Sequence, residues 1–284
     1  MQRAGFQVWG YKYPSNATIV WEDVYSEVEE GETPELVTKA NYFTVFNGVD
    51  VSGATWAYTG TQYWDKTSKY NFYAVAPKDP EANATYTINN GDITITGVTS
   101  QSSTTSADYL IADAVIGQLG SRGGTVDFNF SHIMSKVTVK VVQVDLDNDK
   151  VITLTDLTMS GWNSNKGTFT QNATTEWSIT AGTAGVAPFL TAGEVELDEA
   201  YEAGSYLMVP QTGVDLTFEI SYKIGEETFL DHTGTISNQT WATNTHYTYT
   251  ITVGPEAIEF NVTSVDGWDD DTKVTQVTDG TTIQ

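Results

Sequence analysis

Cysteine is absent from the 284 residues, which excludes disulfides, thiolate metal sites and thiol nucleophiles together. Stability must therefore come from burial. Basic residues are scarce: 13 Lys and Arg stand against 37 Asp and Glu, a formal net charge of -24 at pH 7. Nucleic acids and anionic membrane surfaces need a concentrated basic patch, and that balance argues against both. Long apolar runs are lacking as well, and none approaches the roughly 18 residues of a membrane span. Charged residues make up only 18%, and Ala-Leu-Glu-Lys runs of the helical kind are missing. The length still suffices for one large domain or two ordinary ones with real cores.

What is present is alternation. In segment 124–145, Val126, Phe128 and Phe130 alternate with Thr125, Asp127 and Asn129, the period of a half-buried strand. After residues 131–135 the alternation resumes on Val137, Val139 and Val141, so the apolar set has moved from even to odd positions. A continuous strand cannot do that without turning its apolar face to water. The intervening residues must hold a bulge, a turn or a sheet crossing, which predicts a hinge where one β-rich half hands over to another.

The rest of the chain repeats the pattern. Strands are expected near 5–13, 18–25, 41–46 and 71–77, with an acidic solvated loop at 27–32. Residues 85–88 and 92–96 flank Asn89-Asn90-Gly91, and Asn-Gly supplies the positive φ of a tight hairpin. Residues 97–107 and 117–124 are loop-like, placing a boundary near Gly123-Gly124. Further strands follow at 136–145, 151–159, 167–170, 176–180, 205–210, 215–222, 228–235, 245–253 and 257–265. The expected fold is all-β, with a sandwich domain at 1–123 and a second at 124–284 that carries a terminal tail.

No catalytic chemistry emerges. There is no Gly-x-Ser-x-Gly elbow, no His-Glu-x-x-His and no phosphate loop. His132, His232 and His246 share no metal-ligand spacing, and His132 is expected to be a hydrogen-bonded hinge residue. Asp145, Asp147 and Asp149 open like a calcium loop, with Asp156 at its twelfth position. Lys150 stands where that loop needs glycine, and a turn explains the same residues. Asp266, Asp269, Asp270 and Asp271 read as a solvated strand end, because adjacent positions of an extended chain point opposite ways. No catalytic residue, metal site or cofactor is expected. Trp56, Tyr58, Tyr63 and Trp64 are placed to fill a core, with sugar stacking as the competing reading.

Several segments taken together resemble one family. They are F-Q-V-W-G-Y-K at 6–12, K-Y-N-F-Y-A-V-A-P at 69–77, D-Y-L-I-A-D at 108–113 and V-D-F-N-F-S-H-I-M-S-K-V at 126–137. Y-L-M-V-P-Q at 206–211 and W-x-x-N-x-x-Y-x-Y-x-I at 241–251 complete the set. In order and spacing the chain is similar to the fimbrillin-like proteins of the Bacteroidales, subunits of type V pili and related surface lipoproteins.

That resemblance implies two tandem transthyretin-like β-sandwiches, export as a lipoprotein precursor, and display on the outer membrane or in fimbriae. It implies an arginine-specific cleavage, for which Arg3-Ala4 is suitably placed, and assembly by strand exchange with other fimbrial subunits. The exchange surfaces would be Phe6, Val8 and Tyr11 near the start and Val274, Val277 and Ile283 near the end. Host or bacterial surface glycans or proteins are the further partners implied, and nucleic acid is not. The tail departs from a donor pattern, because Val274 and Val277 lie three apart and Asp279-Gly280 interrupts it. A tip or accessory role therefore stands beside that of a stalk subunit. The other expectation is a non-polymerising surface lipoprotein that binds glycans through exposed aromatics.

Overall fold

The computed structural model describes residues 5–28, 32–53, 57–60, 62–102, 107–143, 151–162, 166–180, 185–190, 193–197, 200–254, 258–268 and 273–277. They form strands and no helix. In chain order these are β1 (Phe6–Pro14), β2 (Val24–Tyr25), β3 (Leu36–Thr38), β4 (Phe43–Val51), β5 (Ser68–Ala76), β6 (Thr85–Asn89), β7 (Asp92–Thr99) and β8 (Gln101–Ser102). There follow β9 (Leu110–Ala112), β10 (Val115–Leu119), β11 (Val126–His132), β12 (Ser135–Gln143), β13 (Ile152–Ser160), β14 (Lys166–Thr170), β15 (Trp177–Ile179) and β16 (Val186–Leu190). The last are β17 (Val195–Leu197), β18 (Ala200–Met208), β19 (Gln211–Ile224), β20 (Glu227–Trp241), β21 (Thr245–Val253), β22 (Ile258–Gly267) and β23 (Lys273–Val277).

The largest sheet runs β23-β11-β9-β5-β1-β4, with β10 also on β5. One face carries Trp9, Tyr11, Tyr73, Val75 and Ile111 into a core shared with Ile93, Ile95, Phe169 and Trp177 of the small sheet β15-β14-β7-β6. The other face buries Phe6, Val8, Phe72, Ala74, Phe128 and Phe130. Odd and even positions of β1 thus enter two different cores, as a period of two requires. In the second half, β22-β21-β12-β18, continued by β8 of the first half, and β16-β13-β19-β20 enclose Val137, Val139, Leu154, Leu216, Phe218, Ile220 and Ile251. Both strands that alternate most cleanly in the sequence, β12 and β19, are central.

The two halves interlock. β14 and β15 extend the sheet of β6 and β7, β8 pairs with β18, and β23 pairs with β11. The change of apolar parity is a sheet crossing: β11 belongs to the large sheet, and β12 pairs with β18 and β21. Ile133 and Met134 lie between them, both buried, with the Ile133 N–H donating to the Tyr109 carbonyl and the Met134 carbonyl accepting from Asn244 N–H. Each side of the crossing is thereby tied down.

Local chemistry explains the turns. Asn90 and Gly91 both have positive φ, 51° and 87°, the combination a two-residue hairpin loop requires. The W-x-x-N-x-x-Y-x-Y-x-I segment closes β20 onto β21. Asn244 takes the left-handed conformation, φ 56°. Tyr247 Oη accepts from Ala242 N–H at 3.0 Å, and Trp241 Nε1 donates to Tyr249 Oη at 3.0 Å.

Candidate functional site

At the edge of the large sheet the late strand β23 returns to β11. On its inner side β11 pairs Phe130, Ser131 and His132 with Ala112, Ile111 and Leu110. On its outer side Val126, Phe128 and Asn129 pair antiparallel with Val277, Val274 and Lys273. Phe128 and Phe130 meet Phe6 edge-on, with centroids 5.9 and 5.2 Å away, so this edge is built on the aromatic core. Three steps along the tail match two along β11, which is a β-bulge. The three-residue spacing of Val274 and Val277 is compatible with a strand for that reason; regular alternation was too strict a criterion.

The tail departs from a rigid root. The ring of Trp268 stacks on that of His132, centroids 3.7 Å apart and planes 6° from parallel. His132 Nδ1 lies 2.9 Å from an Asp108 carboxylate oxygen, and Lys136 Nζ sits 6.0 Å from the Trp268 ring centroid on the indole face. Trp268 N–H donates to the Asn244 carbonyl at 3.0 Å. His132 is the hydrogen-bonded hinge residue expected from its position, buried at the end of β11.

The other expected residues fall as follows. Phe6, Val8 and Tyr11 are buried in β1, which is paired on both sides by β4 and β5 and is not an open edge. Tyr58 is half-buried edge-on to Phe46, and Trp64 is half-buried against Tyr70 at 4.9 Å. Tyr63 is widely exposed, at 76%. Arg3, Ala4, Trp56, Ile283, Asp269, Asp270 and Asp271 lie outside the described residues, as does the acidic turn 145–149.

Among the described residues neither remaining histidine pairs with a carboxylate by hydrogen bond. His246 Nε2 is 2.8 Å from Thr138 Oγ1, and burial, with Lys136 nearby, pushes its pKa below the usual 6.5. His232 packs near Tyr222 and Phe229. Among the described residues no three metal-binding side chains cluster. The β11–β23 pairing was missed from sequence because edge pairing is non-local. The one available signal was that the chain continues beyond the last domain strand with valines.

With this geometry in place, the comparisons with known proteins identify the class. The family model described as fimbrillin-like matches residues 18–268. The chain belongs to that fimbrillin-like family. Among solved structures it resembles a fimbrial protein from Bacteroides vulgatus at 19% identity and TM-score 0.62, covering 94% of this chain and 93% of that one. It also resembles a structure described as a cell adhesion protein from Bacteroides uniformis, at 14% identity and TM-score 0.50, covering 94% and 93%. At such identities the likeness is one of fold. No curated protein sequence matches this chain. Family membership sets the chain among the fimbrillin-like proteins.

Proposed function

We propose that this protein is a fimbrial subunit or an accessory or tip adhesin that assembles with other fimbrial subunits by strand exchange. Export as a lipoprotein, trimming between Arg3 and Ala4 ahead of β1, and the absence of catalysis belong to the same reading. The observation that carries it is the antiparallel pairing of Lys273–Val277 with the outer side of β11. A sheet edge presents unpaired N–H and C=O groups, and any strand of suitable register can satisfy them. Here the strand comes from a segment distant from β11 in the sequence, and a neighbouring copy or related subunit offers the same groups.

Donation is tested in trans. The chain truncated after residue 271 is mixed with a synthetic peptide of residues 272–284, and binding is followed by calorimetry. The expected result is a one-to-one complex with the truncated chain and much weaker binding to the full chain, whose edge is already paired. Size-exclusion with light scattering then reads whether the full chain forms tail-dependent oligomers. A truncated chain that ignores the peptide would overturn strand exchange at this edge.

A further inference from the structure

Residues 18–28 and 32–42 form an arm with a hydrogen-bonded base and an apolar outer part. At the base Asn41 N–H donates to the Val20 carbonyl at 3.1 Å, Val20 N–H donates to Asn41 Oδ1 at 2.8 Å, and Ala40 N–H donates to Asp23 Oδ1 at 2.7 Å. Trp21 and Tyr42 pack on each other and on Tyr11, with centroids 5.1 to 5.5 Å apart. Farther out, β2 and β3 pair Val24 with Thr38 and Tyr25 with Leu36. Ser26 and Glu35 close that ribbon, Ser26 N–H to the Glu35 carbonyl and Glu35 N–H to Ser26 Oγ.

A two-stranded ribbon has little stability of its own, so an apolar face on it ought to be turned inward. On this arm the reverse holds. Val24, Tyr25, Val28, Leu36 and Val37 are between 39% and 65% exposed, and Phe43, the first residue of β4, is 67% exposed. Single exposed apolar residues need no explanation, but Val24, Tyr25, Leu36 and Val37 together on one short ribbon mark an interaction surface. Residues 18–42 also hold seven acidic side chains against one lysine, Lys39. Among the described residues Glu22, Asp23, Glu27, Glu32 and Glu35 are exposed and flank the apolar positions along the chain.

We infer that the β2–β3 arm is a docking surface for a partner protein whose own apolar patch is rimmed by lysine and arginine. Charge complementarity selects that occupant. A second copy of a chain with net charge -24 brings like charge to the acidic rim, and an anionic lipid surface does the same. This contact is separate from the β11 edge and does not depend on strand exchange.

The probe is a cyclised β-hairpin peptide with valines on one face and lysine and arginine at its rim, titrated into the full chain. Its control is the same hairpin with glutamate in place of the basic residues. The basic hairpin is expected to bind at least about tenfold more tightly than the acidic one, and less tightly at high salt. The doubly substituted chain Leu36→Ser/Val37→Ser, altered only at exposed positions, is expected to lose at least about tenfold in affinity. Glu27→Lys/Glu32→Lys keeps the apolar residues and is expected to abolish the preference for the basic hairpin; circular dichroism checks that both variants remain folded. No binding, equal binding of the two hairpins, or affinity unchanged in the variants would overturn the inference. So would arm-dependent dimers in light scattering, which indicate a second copy, or arm-dependent binding to phosphatidylcholine vesicles, which indicates lipid.

Discussion

Trp268 lies flat on His132, 3.7 Å between ring centroids, and so fastens the end of β22 to the end of β11. Both rings are buried, and Asp108 holds the imidazole from its edge. Trp268→Ala leaves a large void beside a buried histidine and is expected to cost about 3 kcal/mol of unfolding free energy. Trp268→Phe keeps a stacking ring and should recover more than half of that loss. Urea denaturation of the three proteins distinguishes the two effects; an equal loss in both variants would mean that the stack itself contributes little.

Gly161 follows β13 with φ at +106°, and a Cβ there would stand 2.1 Å from the Asp215 carbonyl oxygen. Conformation and space both exclude a side chain. Gly161→Ala is expected to destabilise the second half by about 2 to 4 kcal/mol, since β13 and β19 must separate to admit the methyl group. Thermal unfolding checks this, and an unchanged midpoint would refute it.

Asp65 anchors the turn into β5. Its carboxylate accepts from Thr67 Oγ1, Thr67 N–H and Ser68 Oγ, and these bonds hold its pKa at about 2, below the ordinary 3.8, with Lys12 assisting. The folded value lies below the unfolded one, so the contribution is present above the unfolded value and is lost as pH falls through the folded one. The stability gap between the natural chain and Asp65→Asn should therefore narrow between about pH 4 and about pH 2. Carboxyl NMR titration would give the value directly.

Buried tyrosines set the alkaline limit. Tyr73, Tyr109 and Tyr249 are pushed up from 10.0 to about 12 chiefly by burial, and Tyr86 is raised further by the same cause. Here the folded values exceed the unfolded ones, so stability is complete below pH 10 and falls as pH rises towards 12. Tyrosinate absorbance should show a late step coupled to loss of fold. Tyr249→Phe removes the partner of the Trp241 indole N–H and is expected to cost about 1 to 3 kcal/mol even at neutral pH.

Much of this architecture was legible in the residues. Alternation located β12 and β19 within a few positions, Asn90-Gly91 marked its hairpin, and the switch of apolar parity after Phe130 required a bulge, a turn or a crossing where the structure has a crossing at Ile133 and Met134. These features are local: a period of two, a left-handed turn residue and a flipped face depend only on neighbours along the chain. The family resemblance was legible for the same reason, since its motifs are strand and turn patterns in a fixed order.

The candidate site was legible only in part, because it depends on which edges meet. Val274 and Val277 looked wrongly spaced for a strand, and nothing in their neighbourhood announced a bulge against Val126 and Phe128. Nor did residues 18–25 reveal that only Val24 and Tyr25 would pair, leaving an apolar arm outside the core. By itself the sequence determined an all-β chain, the Asn90-Gly91 hairpin turn, the place where the apolar face switches and its family. The tertiary structure alone decided that β14 and β15 join β6 and β7, and that β23 closes on β11. Pairing between distant strands is chosen by the fit of whole faces and edges, which no local pattern encodes.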